Sequence, residues 1–264
     1  MLNIRKILGV ISTGLLLTAT LTANAVPVLQ LDVINGTYDW DTETIITSDT
    51  SFTLVAYGQA TGNNAISLGD YFYISAAVVP KIGPSAPVGG IGSFDVDGVT
   101  YNGVDGTYDI SNMVYGTPPI ETIATQQGGD PGDLQDHQDL FDTYFKELKF
   151  QFVSGQRTAS VDAQLNPGTT PVDDPNGGLY YQLFNIDVSN LLEDYGLHFD
   201  LYNEKVCASR QGNVCNVAGD VDVNKFAPFS HDAEYRVPEP APLALLGIGL
   251  LGLMITSRRN HNRI

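Results

Sequence analysis

The residues able to do chemistry are few and poorly spaced for it. Ser230-His231-Asp232 contains the three side chains of a hydrolase relay, but consecutive residues of an extended chain point to opposite faces and cannot pass a proton along. No Gly-x-Ser-x-Gly turn raises a nucleophilic serine elsewhere. Asp220-Val221-Asp222-Val223-Asn224 offers oxygens at alternate positions, as a calcium loop does. Lys225 then stands where that loop needs glycine, and His231 where it needs a closing glutamate, so the stretch reads better as a strand. His137, His198 and His231 are far apart and form no His-Glu-x-x-His, so no zinc ligand and no metal site is assigned. His198 lies between Leu197 and Phe199; strand alternation puts it on the face opposite those two, as an ordinary hydrogen-bonded surface or half-buried histidine.

Other constellations are weighed in the same way. Asp95, Asp97, Asp173 and Asp174 could assemble a calcium site between loops, the one cofactor considered, although solvated acidic loops explain the same residues more often. A glycosidase needs two carboxylates at a fixed separation, and among so many acids some pair always satisfies a distance chosen afterwards. Gly89-Gly90 and Gly128-Gly129 do not follow a strand into a helix, which rules out phosphate cradles. Tyr71, Tyr73, Tyr180, Tyr181 and Tyr202 could offer rings for sugars to stack on, with core packing as the competing explanation. No catalytic residue is assigned. Cys207 and Cys215, the only 2 cysteines, enclose a short polar stretch and are expected to form a local disulfide in an oxidising compartment.

The elements that must carry these residues are strands. Leu29, Leu31 and Val33 alternate with polar neighbours up to Asn35-Gly36, a dipeptide that tolerates positive φ and signals a hairpin into Tyr38 and Trp40. Further strands are expected over 51–57, 71–79, 92–101, 147–153, 180–188, 197–202 and 226–237. In the clearest, Leu148, Phe150 and Phe152 point one way, Lys149 and Gln151 the other. Residues 134–149 carry apolar side chains at helical spacing behind Asp133, which predicts one short helix, and Ser189 could cap a single turn before Tyr195. Proline-rich loops are expected at 81–90, 126–132 and 166–178. The fold class is all-β: an antiparallel, jelly-roll-like β-sandwich with at most one or two short helices.

Both ends of the chain are different in kind. Arg5 and Lys6, the apolar run Ile7 to Leu21, and Ala23-Asn24-Ala25 form a signal peptide over 1–25, with Ala23 and Ala25 at the positions a signal peptidase reads. At the other end Val237-Pro238-Glu239-Pro240 opens an extended stalk, because proline lacks the amide proton a regular element needs. A charge-free run follows, forming a short transmembrane helix over 243–256, and then Arg258, Arg259 and Arg263. Its thirteen central residues make about 20 Å of helix against about 30 Å of hydrocarbon. The arginines hold their end in the cytoplasm, which places the body across the membrane.

Residues 26–236 form the extracytoplasmic domain. All 30 acidic residues of the chain except Glu239 fall between Val26 and Val237, leaving 29 acidic against 8 basic side chains there, a formal charge of −21 against −17 for the whole sequence. Such a body repels phosphate backbones, which excludes nucleic acid as a partner.

Pro-Glu-Pro, a short apolar helix and a terminal basic cluster, in that order over 237–264, resemble the PEP-CTERM sorting signal of Gram-negative bacteria. The resemblance implies that Pro238, Glu239 and Pro240 are the motif recognised by exosortase, a membrane-embedded processing protease, and that Arg258, Arg259 and Arg263 are the cytoplasmic stop. It also implies an inner-membrane intermediate, followed by release to the cell surface or the extracellular matrix. Residues 180–188, 196–202 and 226–233 resemble the PEP-CTERM proteins called choice-of-anchor families, the N type among them, whose bodies carry no assigned activity. The expected function is therefore a secreted, non-catalytic protein with a structural or binding role in exopolysaccharide or biofilm. An extracellular hydrolase acting on carbohydrate or ester and a calcium-dependent adhesion module are the alternatives.

Overall fold

The computed structural model describes residues 28–80, 90–102, 113–116, 143–206, 209–211, 214–217, 221–228 and 231–237. The signal peptide, Cys207, Ser230, Pro238 and everything after it lie outside the described residues, as do residues 103–112 and 117–142.

Alternation builds the strands. β1 (Leu29–Val33), β4 (Ser51–Gln59), β11 (Leu179–Asp187), β6 (Ser93–Val96) and β7 (Val99–Asn102) form one sheet in that order, with β10 (Arg157–Thr158) on the side of β11. The second sheet runs β2 (Thr37–Asp39), β3 (Thr44–Thr47), β16 (Asp232–Tyr235), β12 (Gly196–Val206), β5 (Phe72–Val79), β9 (Thr143–Phe150) and β8 (Val114–Gly116), with β15 (Val221–Phe226) also on β12. β13 (Ser209–Gln211) and β14 (Val214–Val217) pair separately as a hairpin. Among the described strands every pairing is antiparallel except β16 with β3.

Leu29, Leu31, Val33, Leu54, Phe184 and Ile186 of the first sheet meet Phe72, Ile74, Leu148, Leu197, Phe199 and Leu201 of the second, all buried. Aromatic contacts tie the layers together. Phe150 packs edge-on against Phe184 at 5.1 Å, and Phe52 lies 6.1 Å from Phe199. Edge-to-face rings add directional attraction to the burial of their area. This is the expected all-β sandwich.

Several local expectations change. Asn35, at φ 64°, and Gly36 do turn the chain, but β1 belongs to the first sheet and β2 to the second, so the turn crosses between layers and makes no hairpin. The single strand expected over 92–101 is a hairpin, β6 pairing β7 across Asp97 (φ 49°) and Gly98 (φ 81°). Asp-Gly was the available signal. The last expected strand, 226–237, is shorter, β16 over Asp232–Tyr235, while Phe226 ends β15, the strand read from Asp220–Asn224; both pair with β12. Residues 143–149, expected to end a helix, are strand β9; the described residues contain no α-helix. Tyr144 and Phe145 suit either period, and pairing with β5 along Phe72↔Phe150 to Ala77↔Phe145 decides for the sheet. The faces within it are as read, with Leu148 and Phe152 buried and Lys149 and Gln151 exposed. Around 188–195 there are turns, and the capping side chain is Asp187, whose Oδ1 accepts the Ser189 amide at 2.9 Å and hydroxyl at 2.6 Å.

Candidate functional site

By alternation Gln30, Asp32, Tyr57 and Tyr181 belong on the outer face of the first sheet, yet none faces open water. The segment between β10 and β11 folds back over them. Gln30 donates to the Val161 carbonyl at 3.0 Å and accepts the Ala163 amide at 2.9 Å. Asp32 accepts the amides of Val33, Gly168 and Thr169 at 2.8, 2.8 and 3.2 Å. Burial pushes the Asp32 carboxyl up to about 7 even against those three donors. The Tyr57 hydroxyl donates to the Thr169 carbonyl at 3.4 Å, and burial, then the Asp32 charge, raise its phenol.

Between this loop and the sheet lies a cleft of about 530 Å³, lined by Tyr57, Thr158, Ser160, Asp162, Asn166, Thr169, Thr170, Pro171, Val172, Asp173 and Asp174, among others. Most of the lining side chains carry a hydroxyl, an amide or a carboxylate, but more of the cleft's surface is apolar than polar, and none of the lining residues is cationic. Such a surface repels anions and offers hydrogen bonds to a neutral, hydroxyl-rich ligand. Its carboxylates already have work inside the loop. Asp162 caps the Gln164 amide at 3.1 Å and faces His231 Nε2 at 3.2 Å. Asp173 accepts the Tyr181 hydroxyl at 2.5 Å, a bond that raises the Tyr181 phenol, and Asp174 accepts the Asn176 amide at 2.9 Å.

An aromatic residue missed in the sequence stands nearby. Trp40, the chain's 1 tryptophan, is 66% exposed beyond β2 and meets Tyr38 edge-on at 4.8 Å. Tyr38 in turn accepts Gln164 Nε2 from the covering loop at 3.0 Å. Of the five tyrosines weighed as stacking faces, most follow the competing explanation of core packing and pairing: Tyr202 and Tyr181 are buried, Tyr73 stacks on Tyr202 at 5.9 Å, and Tyr180 lies beside Arg157. Tyr71 is exposed, with Lys149 Nζ 3.9 Å from its ring centre.

A second cluster lies on the far side of the sandwich. His198 and Asp200 alternate on β12, away from Leu197 and Phe199, as read, but His198 is only 3% exposed rather than at the surface. In register, β16 places Glu234 opposite His198, with Asp232 two residues before it. His198 Nε2 lies 3.6 Å from Asp200 Oδ1 and 3.9 Å from Asp232 Oδ2, and Nδ1 lies 3.7 Å from Glu234 Oε2. Burial opposes charge on this imidazole, but Asp200 first, then Glu234 and Asp232, outweigh it and hold its pKa well above the ordinary value. Arg236 steadies Glu234 through Nε at 2.9 Å and also binds Asp39 and Thr42. One donor atom from each of His198, Asp200 and Asp232 falls within 4.8 Å of the others, the geometry of a potential metal ligand set that sequence spacing did not reveal. His-x-Asp on one strand face was a visible half of the signal.

The remaining candidates separate. Asp97 accepts the Asn185 amide and side chain at 2.9 and 3.0 Å, while Asp173 is held at Tyr181. Tyr181 and Asn185 are four positions apart on β11, about 13 Å of strand, so the quartet weighed as a calcium site does not converge. His231 serves Asp162 while Asp232 faces His198, so neighbours in the supposed relay have different partners. Cys215 sits on β14 opposite Arg210, and its expected partner Cys207 is outside the described residues.

No helix of the described residues is long and apolar enough to cross a membrane; the expected span over 243–256 is outside them. No curated protein and no solved structure matches the chain. Where the sandwich ends, at Arg236, a match to a known sequence family begins. Residues 236–259 are a PEP-CTERM protein-sorting motif, which marks the chain for export and for exosortase processing from a membrane-anchored intermediate in a Gram-negative bacterium.

Proposed function

We propose that the folded body, residues 26–236, is a non-catalytic binding protein for neutral extracellular polysaccharide, delivered to the cell surface or matrix once the tail is cut. The observation that carries this reading is the cation-free cleft of about 530 Å³ over the first sheet, rich in hydroxyl and carboxylate groups. Exposed Trp40, which packs on the Tyr38 that holds Gln164 of the covering loop, adds a flat face of the kind sugar rings stack on. A non-catalytic role is supported by the way Asp162, Asp173 and Asp174 are each committed to holding the loop. The signal peptide cut after Ala25 and recognition of Pro238, Glu239 and Pro240 complete the delivery route.

The test is co-sedimentation of the processed protein with neutral and acidic exopolysaccharides, with and without a calcium chelator, followed by assay for new reducing ends. Binding to the neutral polymer, reduced at least tenfold by Trp40→Ala and by Thr170→Tyr, is the expected result. Release of reducing ends or ester cleavage would replace it with the hydrolase reading, and binding abolished by the chelator with the calcium-dependent adhesion module. For delivery, fractionation of Glu239→Ala cells is expected to show the precursor held in the inner membrane.

A further inference from the structure

We propose that in the membrane-anchored precursor the ring of Trp40 seats among the headgroups of a zwitterionic bilayer and holds the tail-bearing end of the body against the membrane until the tail is cut. Arg236 follows the last strand and opens the sorting motif. Its amide donates to the Thr47 carbonyl at 2.9 Å, and its guanidinium binds Glu234, Asp39 and Thr42. Trp40 lies inside that grip, between Asp39 and Asp41, whose amide donates to Asp39 Oδ1 at 3.0 Å. The point where the tail leaves and the chain's 1 tryptophan therefore share one end of the body.

Chain length sets the distance from that end to the membrane. Six residues, Val237 to Pro242, separate Arg236 from the charge-free run that begins at Leu243. Fully extended they span about 20 Å, of which the headgroup layer takes up about 5–8 Å. Trp40 is 66% exposed, although tryptophan is on average a highly buried side chain, and Tyr38 braces its ring edge-on at 4.8 Å. Leu165, beside the Gln164 that donates to Tyr38, is also 52% exposed. An indole on so short a tether belongs at headgroup level, where its apolar ring leaves water and its N–H keeps polar partners. Exposed Asp41 and Glu43 stand close to it in the chain and resist deeper entry, and the acidic body disfavours anionic lipid, which selects a zwitterionic surface. A ring held among headgroups cannot meet a sugar. On the function proposed above, on which this consequence rests, the cleft gains its stacking face only once processing frees the body.

The test uses the unaltered full chain, whose single tryptophan is its own probe. The chain is reconstituted in phosphatidylcholine vesicles carrying a nitroxide quencher either near the headgroups or near the bilayer centre. Trp40 emission is expected to lie to the blue of that of the processed protein, and the shallow nitroxide to quench it at least twofold more than the deep one. Inserting about twenty Gly and Ser residues between Val237 and Pro238 lengthens the tether and should at least halve the quenching. Tyr71 precedes β5, about 23 Å of strand from Val78, whereas Tyr235 pairs with Leu197 opposite Val78. A probe at that far end, Tyr71→Trp in a Trp40→Phe chain, should stay unquenched. Absence of Trp40 quenching, stronger quenching from the bilayer centre, quenching unchanged by the insertion, or equal quenching at the two positions would each overturn the proposal. Polysaccharide binding by the processed protein is measured without vesicles, so failure of that reading and failure of this one are told apart.

Discussion

Asp32 on β1 accepts the backbone amide of Gly168 at 2.8 Å across 136 residues of chain. That bond, with those to Thr169 and Gln30, converts a polar strand face into the floor of a covered cleft. Replacing Asp32 by Ala leaves one buried and two part-buried amides without their acceptor and is expected to cost about 1–3 kcal/mol, read from urea unfolding. Loss of polysaccharide binding should accompany it, since Thr169 and its neighbours line the cleft.

The same carboxyl carries a pH signature. Its pKa rises from 3.8 unfolded to about 7 folded, chiefly through burial. Between those values the folded chain binds the extra proton, so stability falls as pH rises from about 4 to about 7, by at most about 1.4 kcal/mol per pH unit. Asp32→Asn keeps an acceptor oxygen without the charge. Thermal unfolding at pH 5 and pH 7.5 should show a smaller difference for the variant than for wild type, and an equal one would contradict the assignment.

Glu147, half-buried on β9, accepts the Tyr202 hydroxyl, and burial raises its carboxyl to about 7 despite that bond. Tyr202→Phe removes a donor that favours the charged form and should raise the carboxyl further. The expected result is a loss of about 1–2 kcal/mol that is larger at pH 8 than at pH 5, and absent when Glu147→Gln is also present.

Gly92 has φ 85°, and a β-carbon there would stand 2.2 Å from the Asn190 carbonyl oxygen. The three nearest atoms are all backbone of residues 190–192, which leaves nothing soft to give way. Gly92→Ala should therefore lose about 2 kcal/mol or more, whereas Gly155→Ala, where a β-carbon meets nothing within 4 Å, should change stability by no more than a few tenths of a kcal/mol.

Cys207 and Cys215 are proposed to pair after export. Thiol titration of the denatured, unreduced protein should find no free thiol, and Cys207→Ser should destabilise by about 2–3 kcal/mol, the entropy of so short a loop. One or two titratable thiols would disprove the bridge.

The two-sheet architecture was legible because alternation survives in β1, β4, β5, β11 and β12, where one face must be apolar to fill the sandwich. Period alone misled at β9, where Tyr144 and Phe145 fit a helix until β5 claimed them. Asn35-Gly36 was read correctly as a turn and wrongly as a hairpin, since a dipeptide fixes φ but does not choose which sheet receives the next strand.

By itself the sequence determined where the molecule is sent. Sorting signals are read as short linear stretches, so Pro238, Glu239, Pro240 and the arginines behind them are recognisable without a fold. What the body offers a ligand was decided only by tertiary contacts. Gln30 and Asp32 look solvated until residues 161–169 cover them, and His198 meets Asp232 only because β16 pairs with β12. Burial and convergence belong to segments far apart in the chain, and no local spacing encodes them.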